Sequence, residues 1–95
     1  MAKRLGGSAH AHALEYENYV ERAEDKLREA ERAETCSDIY SAAVALNGLS
    51  SIANRESQHA FRDQPTMLKQ AEARLEKILK RALRIDDKMR DKCLR

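Results

Sequence analysis

Apolar residues recur three and four positions apart along three separate stretches of the chain, 16–30, 39–53 and 68–89. Such spacing places apolar side chains on one face of a helix that packs along another helix. One proline and three glycines in 95 residues, with 36% charged residues, also favour long helices over a sheet with many turns. The pattern predicts helices at about residues 10–34, 36–60 and 65–93.

Residues that begin and end helices stand between these stretches. Thr35 is followed three residues later by Asp38, the spacing of a helix N-cap. Pro65 suits the first turn of a helix, because its missing N–H has no intrahelical partner there. Gly48 falls inside the second helix and costs about 1 kcal/mol relative to alanine. We expect the second helix to continue through it.

The length of the chain allows one hydrophobic core and therefore one domain. Residues 1–9 contain two bases and Gly6-Gly7 without a periodic apolar face, which predicts a flexible basic tail. Residues 10–95 are then a single helical domain. Its core is thin, because alanine supplies much of the apolar content, and self-association is a reasonable expectation for such a domain.

Two cysteines and the N-terminal sequence bear on location. Cys36 and Cys93 are far apart and too few for the disulfide framework of a small secreted domain, so we expect reduced thiols. A signal peptide needs an apolar run, and the first five residues lead directly into glycine. No stretch approaches the ~20 apolar residues of a membrane span. The sequence predicts a cytoplasmic protein without a membrane partner.

Charge is distributed unevenly along the chain. Residues 14–38 carry nine acids and four bases, a net −5, whereas residues 64–95 carry ten bases and five acids, a net +5. Labelled as heptads, the first helix repeats glutamate on one flank and the third helix repeats bases on the matching flank. Parallel pairing places the two rows side by side, whereas antiparallel pairing places acid beside acid. The rows are Glu17, Glu24 and Glu31 against Arg74, Arg81 and Lys88.

Parallel pairing of the first and third helices within one chain requires the second helix to run back between them. The predicted fold is all-α, an up-down-up three-helix bundle with a long, partly overhanging C-terminal helix. Exposed ion pairs contribute only ~0 to 1 kcal/mol each, so the charges select orientation more than they stabilise the fold. The same pairing between two chains stays open as an alternative.

No arrangement of residues predicts catalysis, a metal or a cofactor. His10 and His12 fall in or near the tail and His59 in a polar stretch, so no local spacing assembles three ligands. Ser57 is too close to His59 in sequence to face it on a helix. Asp86-Asp87 point to different faces of a solvated helix. We expect a protein that is not an enzyme and holds no cofactor.

Two surfaces of the third helix are candidates for function. A ridge of bases could track a phosphate backbone, although three of them also match the glutamates of the first helix and no exposed aromatic residue supports base stacking. Its residues are Arg74, Lys77, Arg81, Arg84 and Lys88.

Residues that depart from the heptad stripe or lie at its end are candidates for binding a protein partner. We expect a non-enzymatic interaction or assembly module, a self-associating structural or adaptor protein, and small viral accessory or virion proteins share this profile. The alternative is a nucleic-acid-associated protein that uses the basic ridge. The candidate partner-binding residues are Tyr19, Leu79, Leu83 and Met89.

Overall fold

The computed structural model describes the backbone of residues 2–94 and the side chains of residues 8–94. Its helices are α1 (Ala2–Arg32), α2 (Cys36–Ala60) and α3 (Pro65–Cys93), without a strand over that range. The predicted all-α three-helix bundle is confirmed, and α2 and α3 have the predicted bounds. Two end residues lie outside the description: Met1, the first of the predicted tail, and Arg95, the last of the predicted domain.

α1 differs most from its predicted bounds. It begins at Ala2, eight residues before the predicted start, and ends at Arg32 instead of near Glu34. Alanine, lysine, arginine and leucine before Gly6 are strong helix formers, and a helix that is already nucleated gains one hydrogen bond for each residue it adds. The helix boundary predicted at residue 10 is therefore replaced by one at Ala2, and the stretch expected to be a tail has a helical backbone.

The predicted signals at the ends of α2 and α3 are present. The Thr35 hydroxyl accepts a hydrogen bond from the Asp38 backbone N–H at 3.2 Å, which caps α2. Pro65 occupies the first turn of α3. α2 continues through Gly48, and a methyl group added there would meet nothing within 4 Å. Gly48 therefore lies on an open part of the α2 surface.

Small side chains fill the seam between α1 and α2. Ala23 and Ala30 of α1 are fully buried, as is Ala53 of α2, with Ala42 and Ala43 nearly so. Alanines at such positions let two helix backbones approach closely while burying little apolar area. The large side chains of the core stand between these alanines and along the α3 seam: Val20, Leu27, Ile39, Leu46, Ile78 and Ile85.

The direction of α3 follows from its contacts with α1. Arg74 pairs with Glu24, and Arg81, two turns further along α3, pairs with Glu31, two turns further along α1. The two helices therefore run in the same direction, and α2 runs back between them. The predicted up-down-up order is observed.

Cys36 and Cys93 form a disulfide with a Cα–Cα distance of 5.7 Å, so the expectation of reduced thiols was wrong. Cys36 begins α2 and Cys93 ends α3, and the up-down-up order brings these two points to the same end of the bundle. The last turn of α3 extends past the end of α1, where Lys92 Nζ donates to the carbonyl of Glu34 at 3.2 Å. The first turn of α2 lies against this extension, and the disulfide joins the two.

Reduction of the disulfide should lower the free energy of unfolding by about 2–4 kcal/mol, because the bond closes a long loop and restricts the unfolded chain. Urea unfolding followed by circular dichroism, with and without a thiol reductant, measures the difference. The Cys36→Ser/Cys93→Ser double variant is the control and should match the reduced protein in both conditions. An unfolding midpoint that does not move with reductant would contradict the expectation.

Candidate interaction surface

Arg74 is the centre of the polar contact between α1 and α3. Its Nε and Nη2 donate to the Glu24 carboxylate at 3.0 and 2.8 Å, and its Nη1 donates to Glu17 at 3.1 Å. Two-point contact between a guanidinium and a carboxylate fixes geometry as well as charge. Because the side chains of Arg74 and Glu24 are about one-third exposed or less, this pair is the best shielded of the three that join the helices.

Arg81 and Lys88 continue the row towards the C-terminal end of α1. Arg81 donates to both oxygens of Glu31, at 2.9 and 2.5 Å. Among the residues described, Lys88 reaches no carboxylate: its ammonium group donates to the carbonyls of Ala30, Glu31 and Ala33, at 3.3, 2.9 and 2.6 Å. Carbonyls at the end of a helix lack intrahelical partners and carry partial negative charge, so Lys88 caps α1. The predicted match of Lys88 to a glutamate is replaced by this capping contact.

These contacts shift the titration of the groups involved. Hydrogen bonding from Arg74 lowers the pKa of Glu24, and hydrogen bonding from Arg81 lowers the pKa of Glu31, in both cases against a smaller effect of burial. The same bonds raise the pKa of each arginine. The carboxylates and guanidinium groups are therefore held charged at neutral pH.

The basic ridge is largely engaged inside the protein. Arg74, Arg81 and Lys88 are bound to α1, whereas Lys77 and Arg84 are exposed and, over the side chains described, form no ion pair. Phosphate binding through this ridge would either use two cations only or break the contacts that join α3 to α1. The geometry therefore gives the nucleic-acid alternative less support than the sequence did.

The predicted partner-binding residues divide into two pairs. Leu79 and Leu83 are exposed, at 59% and 55%. Tyr19 is half-buried against the core with the Arg22 guanidinium 5.5 Å from its ring centroid, and Met89 is half-buried in the α3 seam. Tyr19 and Met89 thus pack within the bundle, and Leu79 and Leu83 are left for an outside contact.

Tyr40 and Val44 of α2 are exposed at 62% and 53%. They stand on the flank of α2 that faces away from α1, as Leu79 and Leu83 do on α3. The antiparallel course of the two helices brings Val44 and Leu83 to about the same level of the bundle, with Tyr40 nearer the disulfide and Leu79 further from it. We call this surface the α2–α3 face, defined by Tyr40, Val44, Leu79 and Leu83. Neither Tyr40 nor Val44 was among the predicted partner-binding residues. The signal was a second stripe of α2, spaced four, three and four, that contains no charge: Tyr40, Val44, Asn47 and Ser51.

A groove of about 420 Å³ separates α2 from α3 on this face. Its α2 wall carries polar side chains, Asn47, Ser50, Ser51 and Asn54. Its α3 wall is mixed, with Leu75, Ile78, Leu79 and Ala82 beside Glu72 and Glu76. Polar groups of α2 therefore stand opposite several apolar side chains of α3, which disfavours closer packing of the two helices there. Within the part of the chain described, the Ser50 hydroxyl is buried without a hydrogen-bond partner. Packing between α2 and α3 is therefore incomplete along the groove.

A polar cluster at the opposite end of the bundle was not predicted. His12 Nδ1 lies 2.5 Å from Glu56 Oε2, and the rings of His12 and His59 stack with centroids 5.0 Å apart. The N-terminal histidines were expected in or near the tail, but His12 lies in α1 beside the last turns of α2. Ser57 is not part of this cluster, because its buried hydroxyl donates to the Asn54 carbonyl at 2.7 Å.

No cluster of three or more histidine, cysteine or acidic side chains able to hold a metal occurs among the residues described. Over the same part of the chain, none of the helices has the length and apolar content needed to cross a membrane. No protein family, curated protein or solved structure matches the chain. Inference about function therefore rests on the surface itself.

Acid should destabilise the bundle as the pH falls below about 4.5, the ordinary value for a glutamate. Because the pKa values of Glu24 and Glu31 are lowered in the folded protein, their contribution to stability is present above that pH and is lost as the pH falls through the folded values. Urea unfolding over a pH series should show a shallower acid dependence for Glu24→Gln/Glu31→Gln. The exposed control Glu21→Gln should follow the unsubstituted protein, and an acid profile unchanged in the double variant would reject this explanation.

Proposed function

We propose that this protein is a non-enzymatic protein–protein interaction module whose contact surface is the α2–α3 face. The observation that carries the proposal is the set of four large apolar side chains, each more than half exposed, on one side of a small and highly charged protein. A contiguous exposed apolar surface bordered by polar residues is typical of a protein-binding site. A groove between two helices with the exposed Leu79 on its wall also suits a helical partner.

The charge of α2 supports this choice of surface. From Ile39 to Asn54, sixteen consecutive residues include no acid and no base, in a chain that is 36% charged. Burying this part of α2 against a partner therefore requires no charge on α2 to be removed from water, a step that costs several kcal/mol for each unpaired ion. The outer surfaces of α1 and α3 carry frequent charges and lack this property.

Other functions have less support. Nucleic-acid binding would rely on Lys77 and Arg84, since the remaining bases of the ridge are bound to α1. Catalysis would have to use groups such as His12 and Glu56, which lie at a solvent-accessible end of the bundle. A cytoplasmic location was predicted partly from reduced thiols, and the disulfide removes that ground because such bonds persist in oxidising compartments.

Site-specific photo-crosslinking tests the proposed surface. A photoreactive amino acid in place of Leu79 should give a discrete covalent adduct with a protein in the cells that produce this chain, because position 79 lies within the contact. Leu14 offers a matched control: it is also a leucine, is exposed to the same 59%, and lies on α1 outside the α2–α3 face. Adducts are separated by electrophoresis and identified by mass spectrometry.

The expected result is an adduct from position 79 that is absent from position 14. Adding Leu83→Asp to the position-79 chain should remove the adduct, because a carboxylate would be buried unpaired in the contact. Adducts from neither position, or equally from both, would reject the α2–α3 face as the binding surface.

A further inference from the structure

We propose that the occupant of the α2–α3 face is a second copy of this chain, bound with its α2 antiparallel to the first across a twofold axis. This inference rests on the proposed function and adds the identity of the partner and the geometry of the contact. A twofold contact uses the same surface on both copies, so the surface must complement itself. Three properties of the face meet that requirement: its spacing, its charge and its extent.

On the exposed side of α2, positions 40, 44, 47, 48, 51 and 55 are spaced symmetrically about the point between Asn47 and Gly48. In an antiparallel pair centred between Asn47 and Gly48, each position lies opposite the position at an equal distance on the other side of the centre. Val44 then meets Ser51 of the second copy, and Tyr40 meets Arg55. The first contact pairs a large side chain with a small one, and the second places a guanidinium near an aromatic ring, which attract each other.

α3 places its exposed leucines at the same level as this axis. Counting eleven residues from the disulfide, α2 reaches Asn47 and α3, which runs the opposite way, reaches residue 82. Leu79 and Leu83 stand just to either side of that level. The twofold axis lies in the plane of the contact and runs across the helices, so the α3 helices of both copies lie on the same side of the paired α2 helices. Leu79 of one copy therefore lies near Leu83 of the other. The spacing of the exposed α2 positions and the level of the α3 leucines therefore indicate the same twofold axis.

The charges of the face are compatible with a second copy. Because a twofold contact brings a surface against itself, a strongly acidic or basic surface would repel its own copy, and the exposed stripe of α2 carries no charge between Tyr40 and Ser51. At the rim, the same axis places Glu72 of α3 opposite Arg90 of the second copy. It also places Glu76 near Asp86, a repulsive contact that Lys80 offsets because it is paired with Glu76 at 3.4 Å.

The size of the face suits a modest dimer. The uncharged part of α2 is roughly 24 Å long at 1.5 Å per residue, and two helices side by side, each about 10 Å in diameter, are about 20 Å wide. Such a face has a flat area of roughly 500 Å² on each copy, or on the order of 1,000 Å² in total, close to the lower bound for specific interfaces. Gly48, with open space around its Cβ position, lets the two α2 helices approach closely at the axis.

Sedimentation equilibrium over a wide concentration range tests the pairing through a charge exchange. The unsubstituted protein should form a dimer, and Val44→Asp should weaken the dimer by at least tenfold. Adding Ser51→Lys to Val44→Asp should restore most of the association, because each new aspartate would face a new lysine of the other copy. Within one chain these two positions are about 10 Å apart along the helix, too far to pair directly. Leu14→Asp, outside the face, should leave the dimer unchanged.

Covalent trapping tests the position of the axis. Gly48→Cys should give a disulfide-linked dimer under mild oxidation, because the two copies of position 48 lie beside the axis, whereas Leu14→Cys should give none. Peptide mapping by mass spectrometry distinguishes this link from exchange with the native disulfide. A dimer trapped at position 48 and rescue of Val44→Asp by Ser51→Lys support the proposal.

Two results would overturn it. A protein that stays monomeric at every concentration rejects the second copy, as does a dimer that tolerates Val44→Asp. If position 79 nevertheless crosslinks a different protein, the proposed interaction surface stands and only its occupant is wrong. If the chain is monomeric and position 79 yields no adduct, both proposals fail.

Discussion

Close packing of α1 against α2 through alanine is the constraint on which the rest of this structure depends. Alanines such as Ala23, Ala30 and Ala53 bring the two helices together but bury little apolar surface, so the pair supplies less hydrophobic stabilisation than leucines would. α3 must then be fixed by other means. It is joined to α1 through paired guanidinium and carboxylate groups and a lysine cap, and to α2 through a disulfide. Directional contacts hold α3 in position where apolar packing is limited.

This division of contacts explains where the surface is apolar. Because α3 is positioned by its α1 side and by its two ends, its α2 side does not need to close completely. The α2 wall of the groove offers amides and hydroxyls to an α3 wall that includes Leu75 and Leu79, and over the described part of the chain the Ser50 hydroxyl is buried there without a partner. The leucines that would fill a tight α2–α3 seam remain at its outer edge. The exposed apolar face is thus a consequence of how α3 is attached.

The sequence predicted the fold to the extent that its signals were local or periodic. Thr35, Pro65 and the heptads of α2 and α3 fixed the bounds of those helices, and the glutamate and arginine rows gave the direction of α3. The predicted start of α1 was wrong, because Gly6 and Gly7 were given more weight than the helix-forming residues before them. Cys36 and Cys93 were treated as distant although the predicted up-down-up order already placed them at one end. The thiols were wrongly expected to be reduced because their separation along the chain was considered instead of their positions in the predicted bundle.

The candidate site was less predictable, because exposure depends on how far neighbouring helices close. Leu79 and Leu83 departed from the stripe of α3 and proved exposed, whereas Met89 followed the stripe and packs in the bundle. The exposure of Tyr40 and Val44 depends on which flank of α2 remains open once α3 has packed. The pattern of a single helix does not contain that information. His12 lies inside the predicted first helix, and its contact with His59 depends on how α1 is aligned along α2, which the pattern of a single helix does not contain.

A thin core and an open apolar face have linked consequences for stability. Covering the face removes further leucine and tyrosine surface from water, at about 25 cal/mol per Å² of apolar area, without rearranging the contacts that hold α3. A partner that binds only the folded chain adds stability in proportion to the logarithm of its concentration. Because alanines fill the α1–α2 seam, one chain alone buries little apolar surface. Leu79 and Leu83 of α3 remain exposed and are available to a partner. Stability of the bundle and occupation of the α2–α3 face are therefore coupled through α3.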